Sequence, residues 1–377
     1  MRRAARRSTE RRLTPACRLA YRPAGPSSSG LSKQEIRMVR YLWALVGAAV
    51  AAAGAPAAHA GPQHTLKIAT VAPEGTPWAD LLKLYKRNVE KASGGRLKVK
   101  VYLGGTLGDE IAAVRKVKSG HIQGVGASTG ALASLVPELN VVEIPFMFRG
   151  FGEADYALDN LLLAPMEKLF RDRGLVLAFW SENGFRHFGS NWGPILKPED
   201  LKGRKMRSQE SFVHIEMWKA LDAAPQAIPT TEVLTALQTG AVDGFDQALL
   251  FAIAASWHKS IKHVTLSAHI YQPAAIAFNR EWFDGLPADL QAILIDEGRK
   301  IVRRGRKLIR ALNPDLIEIL RSEGIQVHRL SPAQRAAFER ATARVRDAFR
   351  KQQSPSAVRV LDLLENGLAT YRKRKAP

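Results

Sequence analysis

Cysteine is nearly missing from the chain, since Cys17 is the only one among 377 residues. The chain therefore cannot form an internal disulfide or a CxxC pair, which excludes a disulfide scaffold and a cysteine-based metal site. Long uncharged runs are also scarce, and the single one, at residues 41–58, excludes a protein that crosses a membrane many times. What is present, 46% hydrophobic and 24% charged residues, is typical of a folded globular chain, and the length predicts two domains.

Acidic residues are in deficit, because 35 Asp and Glu stand against 56 Lys and Arg, for a net charge of +21. Part of this excess lies in residues 1–60, which hold 11 basic and two acidic residues. The remaining 317 residues hold 45 basic and 33 acidic residues, so they still carry +12. A charge of this sign helps to draw anions toward a cleft.

The uncharged run has the form of an export signal. It follows Arg40, its apolar part at residues 41–53 has the length of a signal-peptide core, and Ala58 and Ala60 give an A-x-A cleavage pattern. We therefore predict that residues 1–60 are a basic extension plus a signal peptide cleaved after Ala60.

Two alternatives remain open in this region. Met38 is a second candidate for the start of the signal, in which case residues 1–37 are not translated. A membrane anchor is the competing interpretation of the uncharged run, which Pro56 and the Ala/Gly-rich end weaken.

The chain after residue 61 opens with alternating strand and helix patterns. The sequence predicts strands at residues 65–71, 96–103 and 121–126, with helices starting at Pro77 and covering residues 109–118 between them. Strand, helix, strand, helix, strand is the signature of a parallel sheet with crossover helices.

A second, shorter α/β set follows, together with one long helix. The predicted strands lie at residues 175–180, 202–206, 226–229 and 242–245, and the predicted helices at residues 211–221, 231–239 and 287–312. The fold class is therefore α/β, with two lobes and a cleft between them.

Glycine-rich stretches suggest cofactor sites only superficially. Residues 104–108 lack the GK[ST] of a phosphate loop, and residues 124–130 are spaced GxGxxxG, one residue longer than the dinucleotide fingerprint. The histidines show neither HExxH nor another ligand spacing, so we expect no metal and no cofactor. The basic face of residues 299–310 lacks interleaved aromatics, so we read it as a solvated face and expect no nucleic-acid partner.

Residues 126–130, GASTG, match the GxSxG elbow of a hydrolase and carry the main alternative function. A secreted serine hydrolase would use Ser128 as the nucleophile, since the segment follows a strand and precedes a helix. Two features argue against a hydrolase: the strand before Ser128 is only the third strand of the predicted sheet, and no HGG-type oxyanion segment precedes it. The alternative interpretation is that the glycines and Ser128 form a turn whose N–H groups face a ligand. Partners in suitable chain order are Asp243 or Asp246, followed by His263, His269 or His328.

Two arginines in neighbouring segments carry the strongest signal. Arg186 follows the strand at residues 175–180, and Arg207 ends the segment PEDLKGRKMR where a strand emerges into the cleft. The planar guanidinium matches both oxygens of a carboxylate in a bidentate, charge-assisted pair. Together they indicate recognition of an organic anion.

Several segments in fixed order resemble the DctP-type extracytoplasmic receptors of TRAP (tripartite ATP-independent periplasmic) transporters. The resemblance covers about residues 64–350. The matching segments are GTPWADLLKLYKRNVEKASGGRLKVKVYLGGTLGDE, VPELNVVEIPFMF, NGFRHFGSN, PEDLKGRKMR, TTEVLTALQTGAVDGFDQ and HIYQP.

The resemblance implies roles for particular residues. Arg207 matches the arginine that pairs with the ligand carboxylate, and Arg186 matches a second arginine that often contacts the same group. After the VDG turn the family usually has Gln-Glu-Asn-Pro, whereas here the run begins Phe245-Asp246-Gln247, so Gln247 takes the place of the ligand-binding Asn. Phe245 replaces a polar residue and suggests a less polar acid than a C4-dicarboxylate.

Three further residues complete the predicted ligand-binding set, which already includes Arg207, Arg186, Phe245, Asp246 and Gln247. Glu110 matches an acidic residue near the ligand in some members, although an acid at a helix start is also favoured by the helix dipole. Ser128 and Trp180 lie at strand ends that face the expected cleft.

The resemblance also implies an architecture and a function. The expected fold is a two-lobed periplasmic binding protein with a hinge and a long helix spanning both lobes. Lobe one comprises residues 64–184 with 271–300, and lobe two comprises residues 185–270 with 301–377. The expected function is a periplasmic receptor, not an enzyme, that captures an organic acid and delivers it to a TRAP permease.

Overall fold

The computed structural model describes residues 63–375. The predictions for the basic extension and the signal peptide, residues 1–60, lie outside this range. Within it, no helix combines the length and the apolar character needed to cross a membrane.

Nine strands in the described part of the chain form one sheet in the order β2-β1-β3-β8-β4-β7-β5-β6, with β9 paired to β8. The strands are β1 His64–Thr70, β2 Leu97–Tyr102, β3 Gly124–Ser128, β4 Leu175–Ser190, β5 Lys205–Ser208, β6 Ala224–Ala227, β7 Gly244–Ala248, β8 His263–Asn279 and β9 Gln326–Arg329.

Helices connect and cover these strands. The α-helices are α1 Pro77–Ala92, α2 Glu110–Lys118, α3 Thr129–Leu132, α4 Phe151–Tyr156, α5 Leu163–Asp172, α6 Phe212–Ala220, α7 Val233–Gln238, α8 Leu249–Ala254, α9 Arg280–Asp284, α10 Ala288–Ala311, α11 Asn313–Ser322, α12 Pro332–Gln352 and α13 Pro355–Lys375. Short 3₁₀-helices occupy Pro137–Glu143, Pro198–Leu201, Thr230–Glu232 and Trp257–Ser260, and a π-helix occupies Ala157–Leu162.

The first parallel run is confirmed. β1 lies between β2 and β3 and pairs in parallel with both, so that Ile68 stands beside Val101 on one side and Gly124 on the other. The helix α1 begins where the sequence predicts, because the Thr76 side chain accepts a hydrogen bond from the backbone N–H of Ala79 and Pro77 occupies the first turn.

Two strands are much longer than the sequence pattern predicts. β4 continues past residue 180 to Ser190, and β8 covers 17 residues antiparallel to it. The carboxyl half of β8 pairs with β3, whereas its amino half pairs with β9, and the later half of β4 pairs with β7. Both strands therefore run from one set of strands into the other, which is the crossing arrangement expected of a two-lobed binding protein.

The second run is also parallel. Arg207 of β5 stands beside Gln226 of β6 and Phe245 of β7. The strand predicted at residues 226–229 lies two residues earlier, at Ala224–Ala227. The helix predicted at residues 231–239 is a 3₁₀ turn, Thr230–Glu232, followed by α7.

The long helix α10 contributes to two separate hydrophobic clusters. Leu290 and Leu294 pack in the cluster built on β1, β2 and α1, while Ile309 packs in the cluster that contains Phe245 and α8. Gly298 lets the helix approach β4, because a Cβ at this position would lie 2.0 Å from a ring carbon of Phe179. The α/β class and the two-lobed architecture are thus confirmed, while the exact residues of each lobe remain a prediction.

The basic face of α10 is not fully solvated, contrary to expectation. Arg306 is buried and bonds both oxygens of Asp159, while Arg310 pairs with Asp155 and Glu182. Ion pairs with carboxylates of other elements thus bury Arg306 and partly bury Arg310. The other basic residues of this face, Arg299, Arg303 and Lys307, are exposed.

Candidate ligand-binding site

A cavity of about 880 Å³, counting the space that opens to solvent, lies at the ends of several parallel strands. Thr70 at the end of β1, Ser128 at the end of β3 and Arg207 near the end of β5 all line it. Residues from the middle of β4 and β8, and from α1 and α10, complete the walls. Carboxyl ends of parallel strands are the usual ligand site in open α/β sheets.

Arg207 is the most unusual group in this cavity. Its side chain is only 1% exposed, yet Nε and Nη2 donate to a neutral acceptor, the carbonyl oxygen of Ile228, at 3.1 and 2.9 Å. Nη2 also donates to the Thr230 hydroxyl at 3.4 Å, and the guanidinium stands 5.3 Å from the centre of the Trp257 ring. The third nitrogen, Nη1, has no protein acceptor among residues 63–375.

The charge of Arg207 is not neutralised by an ion pair within the described chain. Burial, reinforced by the nearby Arg186 cation, lowers its pKa to about 10. The guanidinium therefore remains charged at neutral pH but is poorly stabilised. A cation held in this way, with one donor nitrogen unused, favours an anion in the cavity.

Gln247 lines the cavity and supplies a second donor that none of the described residues uses. Its Oε1 accepts hydrogen bonds from Arg186 Nη1 at 3.0 Å and from the backbone N–H of Ala248 at 2.9 Å. These bonds fix the amide with its oxygen turned inward, so that the NH₂ group is left to donate to a ligand.

Ser128 and Glu110 form a pair on the β3 side of the cavity. The Ser128 backbone N–H donates to Glu110 Oε1 at 2.7 Å, and its hydroxyl donates to Glu110 Oε2 at 3.0 Å. Burial raises the pKa of Glu110 despite these hydrogen bonds. Glu110 is thus the first residue of α2 and also lines the cavity. Trp180, which is 3% exposed, lines the cavity as well.

The surroundings of Ser128 do not form a hydrolytic triad. Its hydroxyl accepts hydrogen bonds from Gln209 Nε2 at 2.7 Å and from the backbone N–H of Ala131. Through the second bond, Ser128 caps the amino end of α3. None of its partners is an imidazole. The candidate bases bond elsewhere: His263 to His328, and His269 to Asp246 and Ser267.

Arg186 is not part of the cavity wall. It is 1% exposed and donates through Nε to Asp246 Oδ2 at 2.5 Å and through Nη1 to Gln272 Oε1 at 2.7 Å. Burial alone would raise the pKa of Asp246, but the Arg186 charge and the bond from His269 hold it well below its usual value. The structure thus places the predicted contacts Arg186 and Asp246 behind the cavity, where they support Gln247 and Gln272, which do line it.

Phe245 is also placed away from the cavity. Its ring is 2% exposed and packs edge-to-face on Trp257 with a centroid distance of 5.3 Å. A Cβ at Gly189 would lie only 2.8 Å from the Phe245 ring, so that this glycine makes room for it. The ring belongs to the hydrophobic core, and the sequence-based inference of a less polar ligand from Phe245 loses its basis.

The sequence reasoning missed several residues of the cavity. Gln209 and Gln272 are the most important, because Gln272 Nε2 donates to Gln209 Oε1 at 2.7 Å and Gln209 reaches on to Ser128. Both carried a signal that could have found them: Gln209 lies two residues after Arg207, and Gln272 lies in the HIYQP segment. Glu182 and Arg306 line the cavity from β4 and α10.

The described residues contain no group of three or more potential metal ligands. The buried acids and histidines near the cavity bond each other instead, as Glu143 Oε2 does with His214 Nε2 at 2.6 Å.

Comparison with known proteins identifies the family of the chain. The family described as "Bacterial extracellular solute-binding protein, family 7" (DctP) matches residues 68–352. A solute-binding protein from Verminephrobacter eiseniae is 33% identical over 301 residues, covering 80% of this chain and 89% of that protein. The 2,3-diketo-L-gulonate-binding periplasmic protein of Escherichia coli K12 is 30% identical, covering 71% and 82%.

Solved structures extend the similarity to the fold. A TRAP periplasmic solute-binding protein from Sulfurospirillum deleyianum with bound succinate has a TM-score of 0.76 at 26% identity, covering 82% of this chain and 99% of that one. A sugar acid-binding protein from Advenella mimigardefordensis in complex with galactonate has a TM-score of 0.77 at 27% identity, covering 81% and 99%. The chain therefore belongs to family 7 of the bacterial extracellular solute-binding proteins, the DctP family of TRAP solute-binding proteins.

Proposed function

We propose that this protein is a periplasmic receptor that captures an organic acid through its carboxylate and delivers it to a TRAP permease. The observation that carries the proposal is Arg207, a buried cation that lines the cavity without a carboxylate partner in the described chain. The acids named for similar structures, succinate and galactonate, share this carboxylate group.

The carboxylate would bind between Arg207 and Gln247. Nη1 of Arg207 supplies a charge-assisted hydrogen bond to one oxygen, and the NH₂ group of Gln247 supplies a second donor. Arg186 contributes indirectly, since its bonds to Gln247 and Gln272 fix the orientation of both amides.

Closure of the two lobes on the ligand would couple binding to delivery. Arg207, Gln209 and Gln247 belong to the predicted lobe two, while Ser128 and Glu110 belong to lobe one. The hydrogen bond from Gln209 to Ser128 already joins these two groups. A ligand that contacts both lobes binds the closed form better and shifts the population toward it, and the closed form would be the one the permease recognises.

Binding measurements with Arg207→Gln test the proposal. The substitution removes the charge but keeps a polar side chain, and losing one partner of a desolvated charge pair costs about 3–5 kcal/mol, or roughly 10²–10³-fold or more in affinity. The ligand is first identified by mass spectrometry of the acid that co-purifies with the wild-type protein, and the affinities are then compared by calorimetry.

Arg204→Gln is the matched control, because Arg204 lies three residues earlier, outside the cavity, and stacks on Trp192. We expect it to bind like the wild type. Wild-type affinity in Arg207→Gln, or labelling of Ser128 by a fluorophosphonate probe, would refute the receptor mechanism.

A further inference from the structure

Hydrocarbon forms a large part of the cavity wall. Trp78 and Leu81 project from α1, Phe179 from β4, and Ile301 and Val302 from α10. These side chains cannot donate or accept hydrogen bonds at the wall, except through the Trp78 indole nitrogen, which is already bonded to the backbone oxygen of Glu182 at 2.7 Å. A hydroxyl group placed against this wall would lose its hydration without compensation.

Two of the other charged groups that line the cavity, Arg306 and Glu182, are already paired with opposite charges. Arg306 donates through Nη1 and Nη2 to both oxygens of Asp159 at 2.6 and 2.8 Å. Glu182 receives hydrogen bonds from Arg310 and, at 3.1 Å, from Tyr271. Among the described cations that line the cavity, Arg207 alone lacks a carboxylate partner, so the site offers one anion position and not two.

From these two observations we infer that the ligand is a monocarboxylate with an apolar body, either a branched or linear alkyl chain or an aryl group. The inference rests on the proposed function and narrows its ligand class. The carboxylate takes Arg207 and Gln247, and the body lies along Trp78, Phe179 and Val302. A second carboxylate would be buried without a cation, and a polyhydroxylated body would be desolvated against hydrocarbon.

A homologous series of acids tests the inference on the purified wild-type protein. Calorimetry with propanoate, butanoate, pentanoate and hexanoate should show affinity rising about two- to fourfold per added methylene. Phenylacetate, hexanoate or both should bind at least about tenfold tighter than succinate and galactonate.

The outcomes separate the ligand class from the proposed function. If succinate or galactonate binds as tightly as the apolar acids, or if the alkanoate series is flat, the class is wrong while the carboxylate receptor stands. If no acid of either set binds, both the ligand class and the receptor function fail.

A wall substitution provides an independent readout. Val302→Thr keeps the shape of the side chain but places a hydroxyl on the wall, and it should weaken hexanoate binding about three- to tenfold. Val358→Thr is the matched control, since Val358 is a half-buried valine on α13 outside the cavity, and it should stay within about twofold of the wild type. Unchanged hexanoate affinity in Val302→Thr would overturn the placement of the apolar body.

Discussion

Replacing each of the two buried arginines by methionine should change the free energy of unfolding very differently, although both are 1% exposed. In Arg186→Met, the carboxylate of Asp246 is left in the interior without its main counter-ion. Removing one partner of a buried ion pair costs about 3–5 kcal/mol. We therefore expect the free energy of unfolding to fall by this amount, a large share of the stability of a typical domain.

In Arg207→Met, the balance is different because no ion pair is broken within the described chain. A pKa lowered to about 10 corresponds to about 3 kcal/mol of unfavourable free energy for keeping this guanidinium charged at neutral pH, and the substitution removes that cost. It also leaves the carbonyl of Ile228 without its donor, which costs about 1–3 kcal/mol. The two effects nearly cancel, so stability should change by less than about 1.5 kcal/mol.

Urea unfolding of ligand-free protein, followed by circular dichroism, measures both changes under the same conditions. We expect a clear loss of stability for Arg186→Met, near-wild-type stability for Arg207→Met, and loss of acid binding in Arg207→Met. If Arg207→Met is destabilised as strongly as Arg186→Met, then Arg207 has a structural counter-ion and the central argument fails.

The remaining predictions concern packing, pH and processing. Gly298→Ala should lower the free energy of unfolding by about 1–3 kcal/mol, since its Cβ would overlap the Phe179 ring, while Gly193→Ala, where a Cβ meets no atom within 4 Å, should be nearly neutral in thermal unfolding. Burial, with the nearby charges of His269 and Arg329, lowers the pKa of His187 to about 3, so the unfolded chain binds a proton below about pH 6.5 that the folded one does not, and stability should fall as pH falls from about 6.5 toward 3. By pH 5 this loss of stability reaches about 1–2 kcal/mol, and His187→Gln should remove that part of the decline between pH 7 and pH 5. An unchanged pH dependence of stability in His187→Gln would refute the role of His187. Amino-terminal sequencing of the periplasmic fraction should start at Gly61; a fraction that retains residues 41–60 would favour a membrane anchor instead.

The first parallel run could be read from the sequence because local signals and tertiary structure agree there. Thr76 and Pro77 mark the start of α1, and the alternation in β2 buries Leu97 and Val99 while it exposes Lys98. Where the capping residues, the spacing of apolar residues and the burial observed in the fold all agree, a helix or strand can be predicted from its own residues.

The length of β4 could not be read in the same way. Residues 181–183 are polar and Gly184 has a φ of +105°, a pattern typical of a loop. The strand persists because β8 runs beside it through register shifts at residues 177–179, 182–184 and 186–188. That pairing joins residues about 90 positions apart, so no local pattern announces it.

The candidate site was predictable in part for the same reason. The motifs indicated Arg207 and Gln247, and both line the cavity. Phe245 lies two residues before Gln247 on β7, and its ring is buried in the hydrophobic core. Asp246, between them, forms an ion pair with Arg186. The depth at which a strand reaches the cavity depends on how its neighbours are placed, which a single segment does not encode.

A crystal structure of the protein with its captured acid tests the central claim most directly. We expect a ligand in the cavity with a carboxylate oxygen about 2.7–3.0 Å from Nη1 of Arg207 and a second hydrogen bond from the Gln247 amide. A ligand bound elsewhere, or one in this cavity whose carboxylate points away from Arg207, would contradict it.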